Sequence, residues 1–466
     1  MLFNSYEYLV YFLPAALAGY FLLSRRPAWA IAWLVAASLF FYAWWKPSDL
    51  PLIVASIVGN FVLGRALQRA PASNRWLLPL AIGANLAALA VYKYADFALQ
   101  TFATATGRNV PLLHIALPLG ISFFTFTQIA FLVDCRRGKA SEPSLNQYGL
   151  FVSFFPHLLS GPILHHSEMM PQFASPSNKR PRSANLSAGL FLLCIGLAKK
   201  VLIADTLAPI ADAGFAHPAQ QSMPGAWLSV LAYTLQIYFD FSGYTDMALG
   251  SALMFNIRLP INFDSPYRAL DLRDFWRRWH ITLSRFLREY LYIPLGGNRR
   301  GEARTLANLL VTFALGGLWH GAAWTFVAWG VLHGVGLVTL RLWRRLGLEL
   351  PNLLAWAITM LFVMCTWVFF RAASLGDAVA MLRAMVGLSG VPAAGTGWIP
   401  AVGALTGAWP AIVAIGAFVL CLRARNSNRM VAEFRPRLVN GAAVTAGLVA
   451  ALLQLGNVSP FIYFNF

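Results

Sequence analysis

Two histidines lie forty positions apart, each directly after a tryptophan: Trp279-His280 and Trp319-His320. His320 sits in an apolar run, flanked by Gly316, Gly317 and Gly321, so backbone or a ligand can approach its ring. An ionisable group in hydrocarbon-grade sequence is costly and is a functional candidate by default. No acid lies near it in sequence, and desolvation would keep the imidazole neutral, the form that acts as a general base. The competing reading is a structural histidine bonded to a neighbouring helix. His280 belongs to a basic amphipathic segment, with Trp276 and Ser284 four positions to either side. On one continuous helix the three would share a face that either meets a ligand or docks on another helix. His333 falls on a largely different face from His320 and reads as structural.

Other polar groups fit chemistry less directly. Asp240 and Asp246 interrupt the apolar run Trp227–Leu253, where each costs about 2.5–3.5 kcal/mol to insert. Either they pair with a nearby Lys or Arg, or they face a polar cavity. His165-His166-Ser167-Glu168 lacks metal-ligand spacing, because adjacent histidines do not share a helical face, so no metal is expected. The sequence has no phosphate-binding lysine loop, no Gly-x-Ser-x-Gly elbow and no dinucleotide fingerprint. The final six residues, Phe461–Phe466, follow Pro460 and place one phenol, Tyr463, among phenylalanines. Such a tail is either an interfacial anchor or an extended segment aiming Tyr463 at a base such as His320.

These residues must be positioned by membrane helices. The 466 residues are 58% hydrophobic and 12% charged, with a mean hydropathy of +0.60. Solid apolar runs recur along the chain, so the expected fold is an all-α polytopic membrane protein of about twelve spans. It reads as one integral domain, with N-terminal helices to about residue 133, a core over 146–345 and C-terminal helices over 353–466. Expected spans include Leu2–Leu23, Trp76–Leu99, Leu112–Val133, Leu186–Ile210 and Trp227–Leu253, and Tyr148–Ile163 is expected to be re-entrant. The net charge of +18 sits in short loops, which speaks for topology and against nucleic acid. Basic residues in alternate loops place both termini outside and Arg25, Arg69 and Arg136 in the cytoplasm. The loop Asn256–Arg304 holds ten arginines and five acids, and its basic face suggests a cytoplasmic rim. Arg277, Arg278 and Arg285 are the candidates for a ligand's phosphates, although topology and anionic lipid explain the same charge. Four scattered cysteines suggest neither zinc nor a disulfide framework.

Five stretches together resemble one family: Phe275-Trp-Arg-Arg-Trp-His280, Leu295-Gly-Gly-Asn298, Leu318-Trp-His-Gly321, Phe239-Asp-Phe-Ser-Gly-Tyr-Thr-Asp246 and the ending Phe461-Ile-Tyr-Phe-Asn-Phe466. The resemblance is to the membrane-bound O-acyltransferases, in the bacterial branch of alginate O-acetyltransferases. It implies that His320 is the catalytic histidine and His280 the second conserved polar position, with Trp319 beside them. It implies a ring of tilted helices around a central funnel in a bacterial inner membrane. It also implies acetyl-CoA as a cytoplasmic donor substrate, with no bound cofactor. An esterase-like periplasmic or membrane-anchored partner would complete transfer to a polysaccharide such as alginate. Peptidoglycan, cellulose or another envelope polymer is the alternative acceptor, and a transporter of polysaccharide or lipid-linked sugar is the non-enzymatic alternative. The terminal pattern also implies a transient acyl-carrying role for Tyr463.

Overall fold

The computed structural model describes residues 1–71, 74–140, 144–389, 409–436, 438–455 and 461–462. Among these, every regular element is helical. Six helices are long and apolar enough to cross a bilayer: Glu7–Arg25, Pro47–Arg69, Leu77–Thr106, Ser183–Ala216, Trp324–Arg345 and Asn352–Arg371. Three shorter apolar helices, Pro27–Ala43, Trp409–Arg423 and Asn440–Gln454, add to them. This is fewer full-length spans than the dozen expected from hydropathy, for identifiable reasons. The expected span Leu112–Val133 is helical only from Ile121 to Arg136, and that helix is nearly all buried. Pro118 and the left-handed Gly120 (φ 71°) delay its start. Tyr148–Ile163 folds as two short buried helices, Leu145–Ser153 and Phe155–Leu158.

The chain forms two compact units. The first comprises Met1–Cys194, Thr245–Pro260 and Arg435–Asn440. Its core is aromatic: Tyr8 meets Phe3 at 4.8 Å and Phe41 at 5.9 Å between ring centroids. The Tyr8 hydroxyl is bonded to Ser251 Oγ at 2.6 Å. Asn60 and Asn85 exchange amide hydrogen bonds of 3.0 and 2.7 Å, a polar fastening between two apolar helices.

The second unit comprises Ile195–Tyr244, Ile261–Phe434 and Gly441–Phe466, and contains both Trp-His pairs. The helices Glu302–His320 and Trp324–Arg345 pack with their backbones in contact at Gly317 and Gly330. A Cβ on either glycine would lie 2.2 Å from a carbonyl oxygen of the facing helix. Small residues at that crossing are what allow two membrane helices to approach so closely. The close approach brings Trp329 against His320, so helix packing and site geometry are one feature here.

Candidate active site

His280 does not lie on a continuous helix with Trp276 and Ser284, contrary to the expectation from spacing. The helix Leu272–Arg278, capped by the Asp271 carboxylate, ends before Trp279. A new helix, Ile281–Leu287, begins after His280, which has left-handed φ 43° and ψ 52°. The cause is backbone pairing with a distant segment. Asp264 N–H donates to Arg278 O at 2.9 Å, and Ile281 N–H donates to Asn262 O at 3.0 Å. The break also buries Trp279 against Trp367, at 4.9 Å. His280 is thereby turned wholly inside, at 0% exposure, and is not interfacial.

Asn262 defines the chemistry of that imidazole. Its side-chain oxygen accepts from Thr282 N–H at 3.2 Å and from Thr282 Oγ at 2.9 Å. The same oxygen lies 3.1 Å from His280 Nδ1, so Nδ1 carries the proton and Nε2 is the acceptor nitrogen. Burial pushes the His280 pKa down to about 3, which keeps the ring neutral. Sequence reading missed Asn262. Its only sequence signal is an amide in a basic loop, whose meaning depends on a contact eighteen residues away.

His320 ends the helix Glu302–His320 and is 3% exposed. Trp319, Trp329 and Phe370 surround its ring at centroid distances of 5.0, 5.1 and 5.2 Å, all edge-on. The two histidine rings are 6.3 Å apart, and Trp319 is 6.4 Å from His280. An acyl carbon between two such rings would be in reach of both. His333 is separate, with one ring nitrogen bonded to Trp276 and the other to Thr366.

The same elements enclose a cavity of about 610 Å³. Trp276, Leu287, Leu309, Phe313, Leu337 and Leu340 form its apolar wall. Arg273, Arg277, Arg288, Arg341, Arg344 and Arg345 ring it with positive charge. Glu302 bridges Arg341 and Arg345, and Asp271 holds Arg344. The Arg341 guanidinium holds the Glu302 carboxyl below its usual range. Ser284 and Thr312 also line the cavity, and their hydroxyl oxygens have no hydrogen-bond partner among the described residues. Ser284 lies roughly 6 Å along its helix from His280, and Thr312 roughly 12 Å before His320 on the other, at 1.5 Å per residue. The cavity therefore lies on the helices that carry the histidine pair.

Residues 88–385 match the model of MBOAT, the membrane-bound O-acyltransferase family. The chain belongs to the membrane-bound O-acyltransferases. This acyltransferase is 48% identical over 425 residues to the peptidoglycan O-acetyltransferase of Helicobacter pylori, covering 84% of this chain and 81% of that protein. It is 42% identical over 400 residues to the "Probable alginate O-acetylase AlgI" of Pseudomonas aeruginosa, covering 83% and 75%. A more distant likeness, 28% over 225 residues, is to the teichoic acid D-alanyltransferase of Bacillus subtilis, covering 47% and 57%. It is therefore a multi-pass membrane enzyme with bacterial relatives.

The remaining candidates of this acyltransferase are distributed as follows. Arg277 lines the cavity. Arg278 is paired with Asp274 at 2.9 Å and Arg285 with Glu289 at 3.2 Å, and neither is among the lining residues. Asp240 is buried and paired with Lys200 at 2.6 Å, and Lys200 also holds Asp205 at 2.8 Å. Asp246 is buried within the first unit. Tyr463 lies outside the described residues, but its neighbours do not. Phe461 stacks on Tyr244 at 4.2 Å, and Ile462 N–H donates to Asp240 Oδ2 at 2.9 Å.

Proposed function

We propose that this enzyme is an O-acetyltransferase of a cell-envelope polysaccharide, taking its acetyl group from acetyl-CoA at a cytoplasmic cavity. One observation carries the reading: an apolar cavity rimmed by six arginines lies on the same helices as a buried histidine pair. The arginines suit the phosphates of the donor, and the apolar wall suits its pantetheine arm. The relatives' names point to envelope polymers, peptidoglycan in one and alginate in others. The acceptor is extracytoplasmic, with both termini on that side, and an esterase-like partner completes transfer to the polymer.

In the proposed reaction His320 removes the proton from the attacking hydroxyl. That oxygen forms a bond to the acetyl carbon, the carbon–sulfur bond breaks, and the proton passes from His320 to the departing thiolate. His280 stays neutral and accepts a hydrogen bond through Nε2, so it orients and does not abstract. The hydroxyl of Tyr463 is the first acceptor in this scheme, forming an acetyl ester that the partner's nucleophile then relieves.

The test uses purified enzyme in liposomes with labelled acetyl-CoA. His320→Ala should insert normally yet lose roughly 10²–10⁴-fold in turnover. Tyr463→Phe should fail as badly, and trapped wild type should show an acetylated C-terminal peptide by mass spectrometry. Near-normal turnover of His320→Ala would end the assignment. Deleting the gene and measuring acetyl esters on peptidoglycan and on exopolysaccharide separates the two acceptors. Polymer export lost with acetylation unchanged would instead mark a transporter.

A further inference from the structure

The helix Met223–Met254 presents three consecutive features to the C-terminal segment. Asp240 accepts the Ile462 N–H at 2.9 Å. Tyr244, one turn on, stacks on Phe461 at 4.2 Å with the rings 15° from parallel. Phe241 lies between them, edge-on to Phe461 at 5.8 Å and edge-on to His280 at 4.9 Å. Phe461 is 1% exposed. A buried carboxylate persists in such surroundings only when paired, and Lys200, at 2.6 Å, supplies the charge. Lys200 sits in the π-helical turn Lys199–Ala204, where an extra residue in the turn re-aims side chains. It is shared with Asp205, so the cluster carries two acids and one lysine, and Asp240 also accepts the donor that the tail brings.

We infer that Asp240 is a positioning residue: held by Lys200, it clamps the C-terminal segment by the Ile462 N–H and sets the register of the tail beside the histidine pair. The ion cluster alone would need no tail, and an aromatic anchor alone would need no fixed register. Here a backbone donor with one direction meets a carboxylate that is itself held. Phe461, Phe241 and His280 then form a continuous run of ring contacts from the tail to the site. The consequence for catalysis rests on the acetyl-transfer reading above, but the docking of the tail does not.

Ile462→Pro tests this without touching the buried charges, because proline removes only the N–H. Ile462→Ala, which keeps the donor, is the control, and Asp240→Asn tests the acceptor side. Two readouts are taken on full-length enzyme in detergent: hydrogen–deuterium exchange of the C-terminal peptide, and acetyl transfer with its kcat and KM for acetyl-CoA. The expected result for Ile462→Pro is faster exchange around Phe461 and a kcat lower by roughly 10²-fold, with KM unchanged. Ile462→Ala should match wild type in both. Unchanged exchange in Ile462→Pro, or loosened exchange with kcat intact, overturns the inference. If wild type itself transfers no acetyl group, the acetyltransferase reading fails, while exchange still decides whether the tail is clamped.

Discussion

Replacing Gly317 by alanine tests whether backbone contact between two helices holds the catalytic histidine in place. The new Cβ would sit 2.2 Å from Phe326 O, and 3.0 Å from Gly330 Cα and N, whereas ordinary contact begins at 3.4 Å. Both obstacles are backbone, so no side chain can swing aside. The helix Trp324–Arg345 must move more than 1 Å, taking with it Trp329, which packs on the His320 ring. Overpacking of this kind costs about 1–3 kcal/mol in stability. A displacement of about 1 Å at a reacting group costs on the order of 10²-fold in rate. Gly317→Ala should therefore accumulate somewhat less, melt earlier and turn over roughly a hundredfold more slowly. Gly330→Ala should behave alike, since its Cβ would meet Phe313 O at 2.2 Å. The double variant should fall well short of the summed losses, because both act at one contact. Gly416→Ala is the control, with nothing within 4 Å of its Cβ. Wild-type turnover in purified Gly317→Ala would refute the reasoning.

Three further outcomes are expected. Arg273→Ala with Arg277→Ala should raise KM for acetyl-CoA and steepen its salt dependence with kcat little changed, because both line the cavity; unchanged KM would remove the rim from donor binding. Between pH 6.5 and about 3 the unfolded chain protonates at His280 while the folded one does not, so stability should fall as pH falls through that window, by about 2 kcal/mol at pH 5. His280→Asn, a residue that tolerates the left-handed backbone, should show a flatter melting profile there, and identical slopes would refute the linkage. Cysteine-accessibility labelling should place Arg25, Arg136 and Arg299 inside and the N-terminus outside; Arg299 outside would put the arginine rim in the wrong compartment for the donor.

What was legible in the sequence follows the range of the forces involved. Long apolar helices announce themselves because composition alone decides whether they can lie in hydrocarbon. His320 stands out for the same reason, as an ionisable group in an apolar run. The break at Trp279-His280 was not legible, since it arises from backbone pairing with Asn262–Asp264 that local periodicity cannot register. Of the arginines, Arg277 was picked out with the loop, but Arg341, Arg344 and Arg345 looked like ordinary positive-inside residues. Charge type does not say which of two jobs an arginine does; only convergence on one cavity does. The partner of Asp240 was open for a like reason, because Lys200 is forty positions distant and belongs to another helix.

The bond from Ile462 to Asp240 spans 222 positions of chain, which bears on how the enzyme is made. At a synthesis rate of about 5–20 residues per second, roughly 10–45 s separate the emergence of one partner from that of the other. Throughout that interval Asp240 and Lys200 must already be in the bilayer, with Asp205 as the lysine's second acid, and the Tyr244 face must wait uncovered. A nascent chain that stalls or is cut short late in synthesis would hold every catalytic histidine and still present an open aromatic socket. Quality control that senses exposed intramembrane polar groups would have one place to look, and the last few codons would decide whether it finds anything.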